Sequence, residues 1–240
     1  MKPQAVPPEQ TTWDFDNFPS SVAWLQKFTF ARLVASFSQY QPVQLGGDEF
    51  AAGDRDCARR WDMIQEAAGS GAVSSLLDLG CAEGYFVRRA AKEKGWVCLG
   101  VDGDIRRVTV AQAIVSLERI EGAAFIYSKV TPDFVAKVPS HDVVLCLSLM
   151  HHIICEHGMD YARRMMATIR SRTQKTLVFD MGQSDEHGHE WSKKLPPMLP
   201  DPATWISSFL REAGFSDVSI VGDSKSYLDT GRRILFAATP

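Results

Sequence analysis

Residues 74–84 read SSLLDLGCAEG. An apolar run, Leu76-Leu77-Asp78-Leu79, enters a turn of small residues, Gly80-Cys81-Ala82-Glu83-Gly84, and Tyr85 to Lys94 follows with helical character. A buried strand, a small-residue turn and a helix start, in that order, decide the fold class. A turn free of bulky side chains lets a ligand come close to the backbone, and the first helical turn offers N–H groups that lack intrahelical partners. Open α/β sheets hold nucleotide-like cofactors in this way, at the C-terminal ends of their strands.

The flanking sequence agrees. Residues 20–37 place Val22, Leu25, Phe28, Leu33, Val34 and Phe37 at helical spacing, and residues 55–68 read as a second helix. The pattern then predicts strand 75–80, helix 84–94, strand 96–102, helix 104–118, strand 123–130, a short helical piece at 132–138, strand 142–149, helix 159–172 and strand 175–181. Helix 202–213 opens with Asp201 as N-cap and Pro202 in its first turn, and Gly214 sits at its C-cap; strands 216–222 and 232–238 close the chain. Strand–helix alternation predicts an α/β fold: a doubly wound, mostly parallel sheet covered on both faces. The last two strands, with no helix between them, predict an antiparallel hairpin at the sheet edge. The expected organisation is a Pro- and Gln-rich disordered tail at 1–18, an N-terminal helical cap at 19–70 and one cofactor-binding domain at 71–240.

The small residues fall at 80, 82 and 84, so the loop reads D-x-G-x-A-x-G from Asp78. Dinucleotide-binding folds need G-x-G-x-x-G, and the position of the third glycine is held by Tyr85. The pattern resembles motif I of the class I S-adenosylmethionine (SAM) methyltransferases, with Ala82 where glycine is commoner. That resemblance implies a Rossmann-like, seven-stranded sheet with an antiparallel last strand, and a loop that cradles the methionine part of SAM. The next apolar run, Trp96 to Asp102, ends in an acid about 20 residues beyond the turn, where a carboxylate accepts hydrogen bonds from ribose hydroxyls. The expected SAM contacts are Asp78, Gly80, Ala82, Gly84 and Asp102, with Gly103, Lys129 and Leu147 at the ends of neighbouring strands.

Composition narrows the setting. With 26 basic and 29 acidic residues the net charge is −3, and no basic field points to nucleic acid. The five cysteines (57, 81, 98, 146 and 155) form no C-x-x-C pair, which argues against a disulfide framework or zinc site and for a reducing, cytoplasmic setting. No apolar run approaches the roughly 18 residues of a membrane span, and MKPQAVPPEQ lacks the apolar core of a signal peptide. The loop after residue 180 holds His187, His189 and Glu190, too weak a pattern for a metal. No metal is expected.

The stretch Asp142 to Ile153, which begins with the fourth strand (142–149), carries two histidines past the strand's C-terminal end, facing the crevice of the cofactor loop. Methyl transfer to a hydroxyl needs a base, and a histidine titrating near neutrality suits that task. His151 and His152 are the candidate catalytic residues; bracing the loop is their alternative role.

A closer resemblance rests on Tyr40-Gln41, on Arg55-Asp56-Cys57-x-x-Arg60, on LDLGCAEGYF at 77–86, on LSLMHHIICEHG at 147–158 and on RRILFAA at 232–238. From about residue 40 onward the chain is similar to the methyltransferase domain of the bacterial kinase–methyltransferases that cap polymannose O-antigen chains. The resemblance implies that Tyr40, Gln41 and Arg60 hold SAM, with Arg60 reaching its carboxylate by a charge-assisted hydrogen bond. It implies an acceptor on a glycan end, a sugar hydroxyl or a sugar phosphate. A phosphate is already ionised and needs cations to place it, whereas a hydroxyl needs the histidine. Cations near the crevice are Arg55, Arg59, Lys193, Lys194, Arg232 and Arg233; the expected acceptor contacts are Arg55, His157, His189 and Arg232. A methyltransferase for another small molecule and a non-catalytic SAM-binding module are the alternatives.

Overall fold

The computed structural model describes residues 28–69, 71–225 and 231–240. The expected tail and the start of the expected first helix lie outside the described residues. Helix α1 is described over 28–34. After it come β1 (Val43–Leu45), β2 (Asp48–Ala51), α2 (Cys57–Ala68), β3 (Ser75–Leu79), α3 (Tyr85–Lys94), β4 (Val97–Asp102), α4 (Ile105–Leu117) and β5 (Ala123–Tyr127). The chain continues through α5 (Pro132–Val135), β6 (His141–Leu147), α6 (Met150–His157), α7 (Met159–Arg172), β7 (Thr173–Asp180), α8 (Pro202–Glu212), β8 (Asp217–Lys225) and β9 (Arg232–Thr239).

Seven strands form one sheet in the order β5-β4-β3-β6-β7-β9-β8. Strands β3 to β7 pair in parallel, and β9 runs antiparallel to both of its neighbours. The chain leaves β3 toward β4 on one side and returns on the other side at β6. Strand order reverses there, which opens a crevice at the strands' C-terminal ends. The central strands are buried on both faces, so they read as largely apolar, with Leu76-Leu77 in β3 and Val143 to Leu147 in β6.

Residue parity along each strand divides the core. Leu76, Val143, Leu145 and Leu235 face α2, α3 and α4, where they meet Trp61, Ile64, Phe86 and Val108. Leu77, Val144, Leu177 and Phe236 face the other layer and meet Met165, Met166 and Ile169 of α7 and Ile206, Phe209 and Leu210 of α8.

Three expectations need correction. Helix α2 does not belong to a cap ending at 70: its buried stripe, Cys57, Arg60, Trp61, Met63 and Ile64, lies on the sheet and makes α2 part of the main sandwich. The cap is also not wholly helical, because β1 and β2 form an antiparallel hairpin. Phe30, Val34 and Val43 of this cap pack on Val110 and Ile114 of α4. Finally, the fourth strand stops at Leu147. Ser148 takes a left-handed backbone (φ +56°), which breaks the strand, and both histidines stand on α6.

Candidate active site at the switch point

The loop after β3 is built from left-handed turns. Gly80, Ala82 and Gly84 have φ of +82°, +47° and +73°. Gly84 has no alternative, because a Cβ there would lie 2.4 Å from the Phe125 ring. For Ala82 the conformation costs about 1–2 kcal/mol. It is offset by a hydrogen bond, since the Ala82 N–H donates to Asp102 Oδ2 at 2.8 Å. Asp102 Oδ1 accepts from the Asp104 N–H at 2.8 Å. Each oxygen of Asp102 therefore uses one lone pair and keeps another for a ligand hydroxyl. Gly103 and Lys129 are exposed beside it at the ends of β4 and β5, and Leu147 is buried at the end of β6.

Tyr40 and Gln41 reach this loop through the buried Glu83. Its Oε1 accepts from the Tyr40 N–H at 2.9 Å and its Oε2 from the Gln41 N–H at 3.0 Å. Arg107 lies 3.3 Å away. Gln41 Oε1 accepts in turn from the Tyr85 N–H at 2.8 Å, one of the unpaired donors at the start of α3. Sequence reasoning treated Glu83 as a spacer. The available signal was an acid inside an otherwise small, apolar loop, which must find partners when buried.

A buried ionic cluster lies below the crevice. Arg60 Nη2 meets Asp180 Oδ2 at 2.5 Å, and both side chains are 1% exposed. Asp180 Oδ1 accepts from the Ser148 N–H at 2.7 Å and from Ser148 Oγ–H at 2.9 Å, which holds the left-handed turn. Burial pushes the Asp180 carboxyl up, but Arg60, Arg55 and Arg233 outweigh it and hold the group below its ordinary value. Arg233 forks onto Glu186 through Nε and Nη2, at 2.9 and 3.0 Å, and donates from Nη1 to Ser148 Oγ at 3.0 Å. Arg55 is buried across the Tyr40 ring; its Nη2 is 3.5 Å from Ser148 Oγ, and its Nε and Nη1 have no hydrogen-bond partner. Asp180, Glu186 and Ser148 were not among the expected site residues.

Arg60 is thus committed in part to Asp180, yet its Nε is buried without a partner, as is Asp78 Oδ2 at the end of β3. Burial pushes the Asp78 carboxyl up to about 7; Arg60 opposes the shift and Asp102 adds to it. A buried guanidinium with an unpartnered Nε–H and a buried carboxyl with an unpartnered oxygen are what the carboxylate and ammonium of an amino-acid moiety would satisfy. Together with the free lone pairs of Asp102, these atoms fit SAM.

The crevice above the cluster has a volume of about 400 Å³ and is lined by Ser38, Gln39, Tyr40, Asp54, Arg107, Ser148, His151, His152, His189, Trp191 and Arg233. His151 is buried, and its Nδ1 accepts from the Gly182 N–H at 3.0 Å. The neutral ring therefore carries its proton on Nε2 and offers a donor. Burial, with His152 and Arg233 adding to it, pushes His151 well below its ordinary pKa. His152, on the same helix, keeps part of its ring open to solvent and is also lowered, first by partial desolvation at the crevice and then by Arg233. His189 stacks on Trp191 with ring centroids 4.9 Å apart. Trp191 can approach only because residue 182 is glycine: a Cβ there would lie 2.3 Å from the indole.

Two expected acceptor residues lie elsewhere. His157 is at the far end of α6, about 9 Å along the helix axis from His151, where it faces Glu156 and the Tyr161 ring. Arg232 points away from Arg233, as strand alternation requires, and joins Arg59 at the exposed Asp223. Arg233 is the β9 cation in the crevice. Lys193 is exposed and pairs with Glu190. Among the described residues no group of three His, Cys, Asp or Glu side chains could hold a metal ion, and no helix is long and apolar enough to cross a membrane.

Sheet order, antiparallel β9 and the loop at the switch point together define the class I methyltransferase fold. Among curated proteins the chain is similar to the O-antigen chain terminator bifunctional methyltransferase/kinase WbdD of Escherichia coli, with 29% identity over 190 residues. That alignment covers 75% of this chain and 26% of the relative, so the chain spans about a quarter of the relative's length. A WbdD crystal structure superposes with a TM-score of 0.72 and 24% identity, over 87% of this chain and 46% of that one. The N-terminal domain of EvdMO1, solved in the presence of SAH and D-fucose, superposes with a TM-score of 0.63 and 18% identity, over 91% of this chain and 96% of that one. No family model matches the chain.

Proposed function

We propose that the chain is a SAM-dependent methyltransferase that methylates oxygen on a glycan end or a sugar phosphate. One observation carries this reading. The cofactor loop and the crevice with its histidines and arginines open at the same switch point, so a methyl donor and an acceptor would meet there. Similarity to WbdD and to a domain solved with SAH and a sugar supports the choice of reaction and acceptor class. Asp102 would take the ribose hydroxyls. Asp78 Oδ2 and Arg60 Nε would take the ammonium and carboxylate, and Tyr40 and Gln41 would close over the loop. When bound, SAM would supply an electrophilic methyl group on a sulfonium. The chain's own task is to place the acceptor oxygen and, for a hydroxyl, to remove its proton. A cytoplasmic setting fits the five unpaired cysteines, four of them buried. Incubation with SAM and a panel of sugars and sugar phosphates tests the reading; no SAH from any acceptor would remove it.

The two histidines divide the work. His151 stays neutral and donates from Nε2, whereas His152 is exposed and free of that constraint. With a hydroxyl acceptor, His152→Ala is expected to lower kcat by about 10²–10⁴, the usual worth of a general base, with an unchanged melting temperature. With a phosphate acceptor kcat is expected to hold, because no proton must leave. His151→Ala removes the acceptor of the Gly182 N–H and is expected to cost about 1–3 kcal/mol of stability. Rates and melting curves of the two variants, compared on the two acceptors, check the division.

Asp78 gives the cofactor step a pH dependence. Its carboxyl, near 7 in the free protein, must be ionised to pair with an ammonium. Below that value binding must first expel a proton, which costs about tenfold in affinity per pH unit. SAH affinity is therefore expected to rise about tenfold from pH 6 to pH 8, and Asp78→Asn to flatten the profile. Calorimetric titration across that range checks it.

A further inference from the structure

Glu83 does more than fill the cofactor loop. It lies between Ala82 and Gly84, both left-handed, so the backbone that shapes the loop also sets the direction of its side chain. One carboxylate, 0% exposed, gathers the Tyr40 N–H, the Gln41 N–H and Arg107. Gln41 Oε1 in turn accepts from the Tyr85 N–H, two residues further on at the start of α3. Residues 40 and 41 are thus fastened to the C-terminal end of the loop by three hydrogen bonds. Tyr40 is held by more than its backbone, because the guanidinium carbons of Arg55 and Arg107 lie 5.5 and 5.6 Å from its ring centroid.

We propose that Glu83 is a positioning residue, a latch that holds segment 38–42 over the cofactor loop and sets how long the cofactor stays. The proposal rests on the SAM reading above. The loop conformation that would cradle the methionine part is the one that presents Glu83 to the segment. Loop order and latch closure are one event, and a ligand that stabilises either stabilises both. The latch also finishes the acceptor crevice, because Tyr40 and Arg107 line it. Removing the latch therefore acts on cofactor release. The encounter, which happens with the segment open, is untouched.

The test measures SAH association and dissociation rates by stopped flow on wild type and Glu83→Gln. The amide keeps the shape and one acceptor, but its NH₂ opposes a backbone donor and leaves Arg107 only its longer contact with Asp104, at 3.8 Å. Dissociation is expected to quicken about tenfold or more, with association within about twofold. An unchanged dissociation rate in a folded variant overturns the proposal. If the variant does not fold, hydrogen exchange on ligand-free wild type decides. The Tyr40 and Gln41 amides are expected to exchange at least about 100-fold more slowly than in free chain; exchange at the free-chain rate overturns the latch. Absence of SAH binding to wild type would overturn the cofactor reading instead, and the ligand-free exchange rates then judge the latch by themselves.

Discussion

Replacing Asp180 with alanine is expected to destabilise the fold by about 3–5 kcal/mol, the cost of leaving a buried charge without its partner. For a chain of this size that is roughly a 6–20 °C fall in Tm. Asp180 is the acid paired with Arg60 in a cluster that holds three arginines, with Glu186 engaging Arg233. Without it Arg60, 1% exposed, would lose its ion pair beside Arg55, which is buried with two unpartnered nitrogens, and beside Arg233. The Ser148 hydroxyl would lose its acceptor as well, and the Ser148 N–H would keep only the Asp180 backbone carbonyl, at 3.1 Å, so the left-handed turn between β6 and α6 would be held more weakly. Asp180→Asn separates the two effects. It keeps an acceptor for Ser148 while removing the charge, so a loss near that of alanine would assign the effect to the ion pair. Thermal and denaturant unfolding measure both variants. An Asp180→Ala protein melting within 2 °C of wild type would show that the cluster does not support the sheet's C-terminal edge.

This cluster marks the boundary of what the sequence discloses. Periodicity and turn residues are local, so the alternation from β3 to β9, the loop at 80–84 and Asp102 at the end of the next strand could all be read from neighbouring residues. Arg60 and Asp180 are 120 positions apart, and Arg233 and Glu186 are 47 apart. Only the assembled sheet brings such pairs together. Arg233 lines the crevice while Arg232 points to Asp223 for a related reason: which of two adjacent arginines faces the crevice depends on strand register, and a one-residue shift inverts it. Strand β6 looked longer than it is because Leu147-Ser148-Leu149 holds no glycine or proline to stop it, and serine does not advertise a positive φ. The hairpin at 43–51 did carry a signal, Gly46-Gly47 between Val43-Gln44-Leu45 and Asp48-Glu49-Phe50-Ala51, but strands of three and four residues give too little alternation to recognise. Helix α2 was recognised as a helix but assigned to the cap, because amphipathicity reveals a buried face without revealing what buries it.

Asp102 is the second residue whose loss should be large, and here the effect falls on affinity. Two ribose hydroxyls hydrogen-bonded to one carboxylate are worth about 1.5–3 kcal/mol each. Asp102→Ala is therefore expected to weaken SAH binding by about 10²–10⁴. The same carboxylate accepts from the Ala82 and Asp104 N–H groups, so the alanine variant also removes what offsets the strained backbone at Ala82. Asp102→Asn and the double variant Asp102→Ala with Ala82→Gly divide these contributions. Glycine takes a positive φ without penalty, so it relieves the loop while restoring nothing to the ribose. If the double variant stays as weak as Asp102→Ala, the lost affinity belongs to the hydroxyl contacts; if it recovers most of the binding, Asp102 serves the loop and the ribose reading falls. Asparagine, with one acceptor and one misdirected donor, is expected between wild type and alanine. Calorimetric titration of SAH into the four proteins measures the series, and an Asp102→Ala affinity within threefold of wild type would remove Asp102 from the cofactor site.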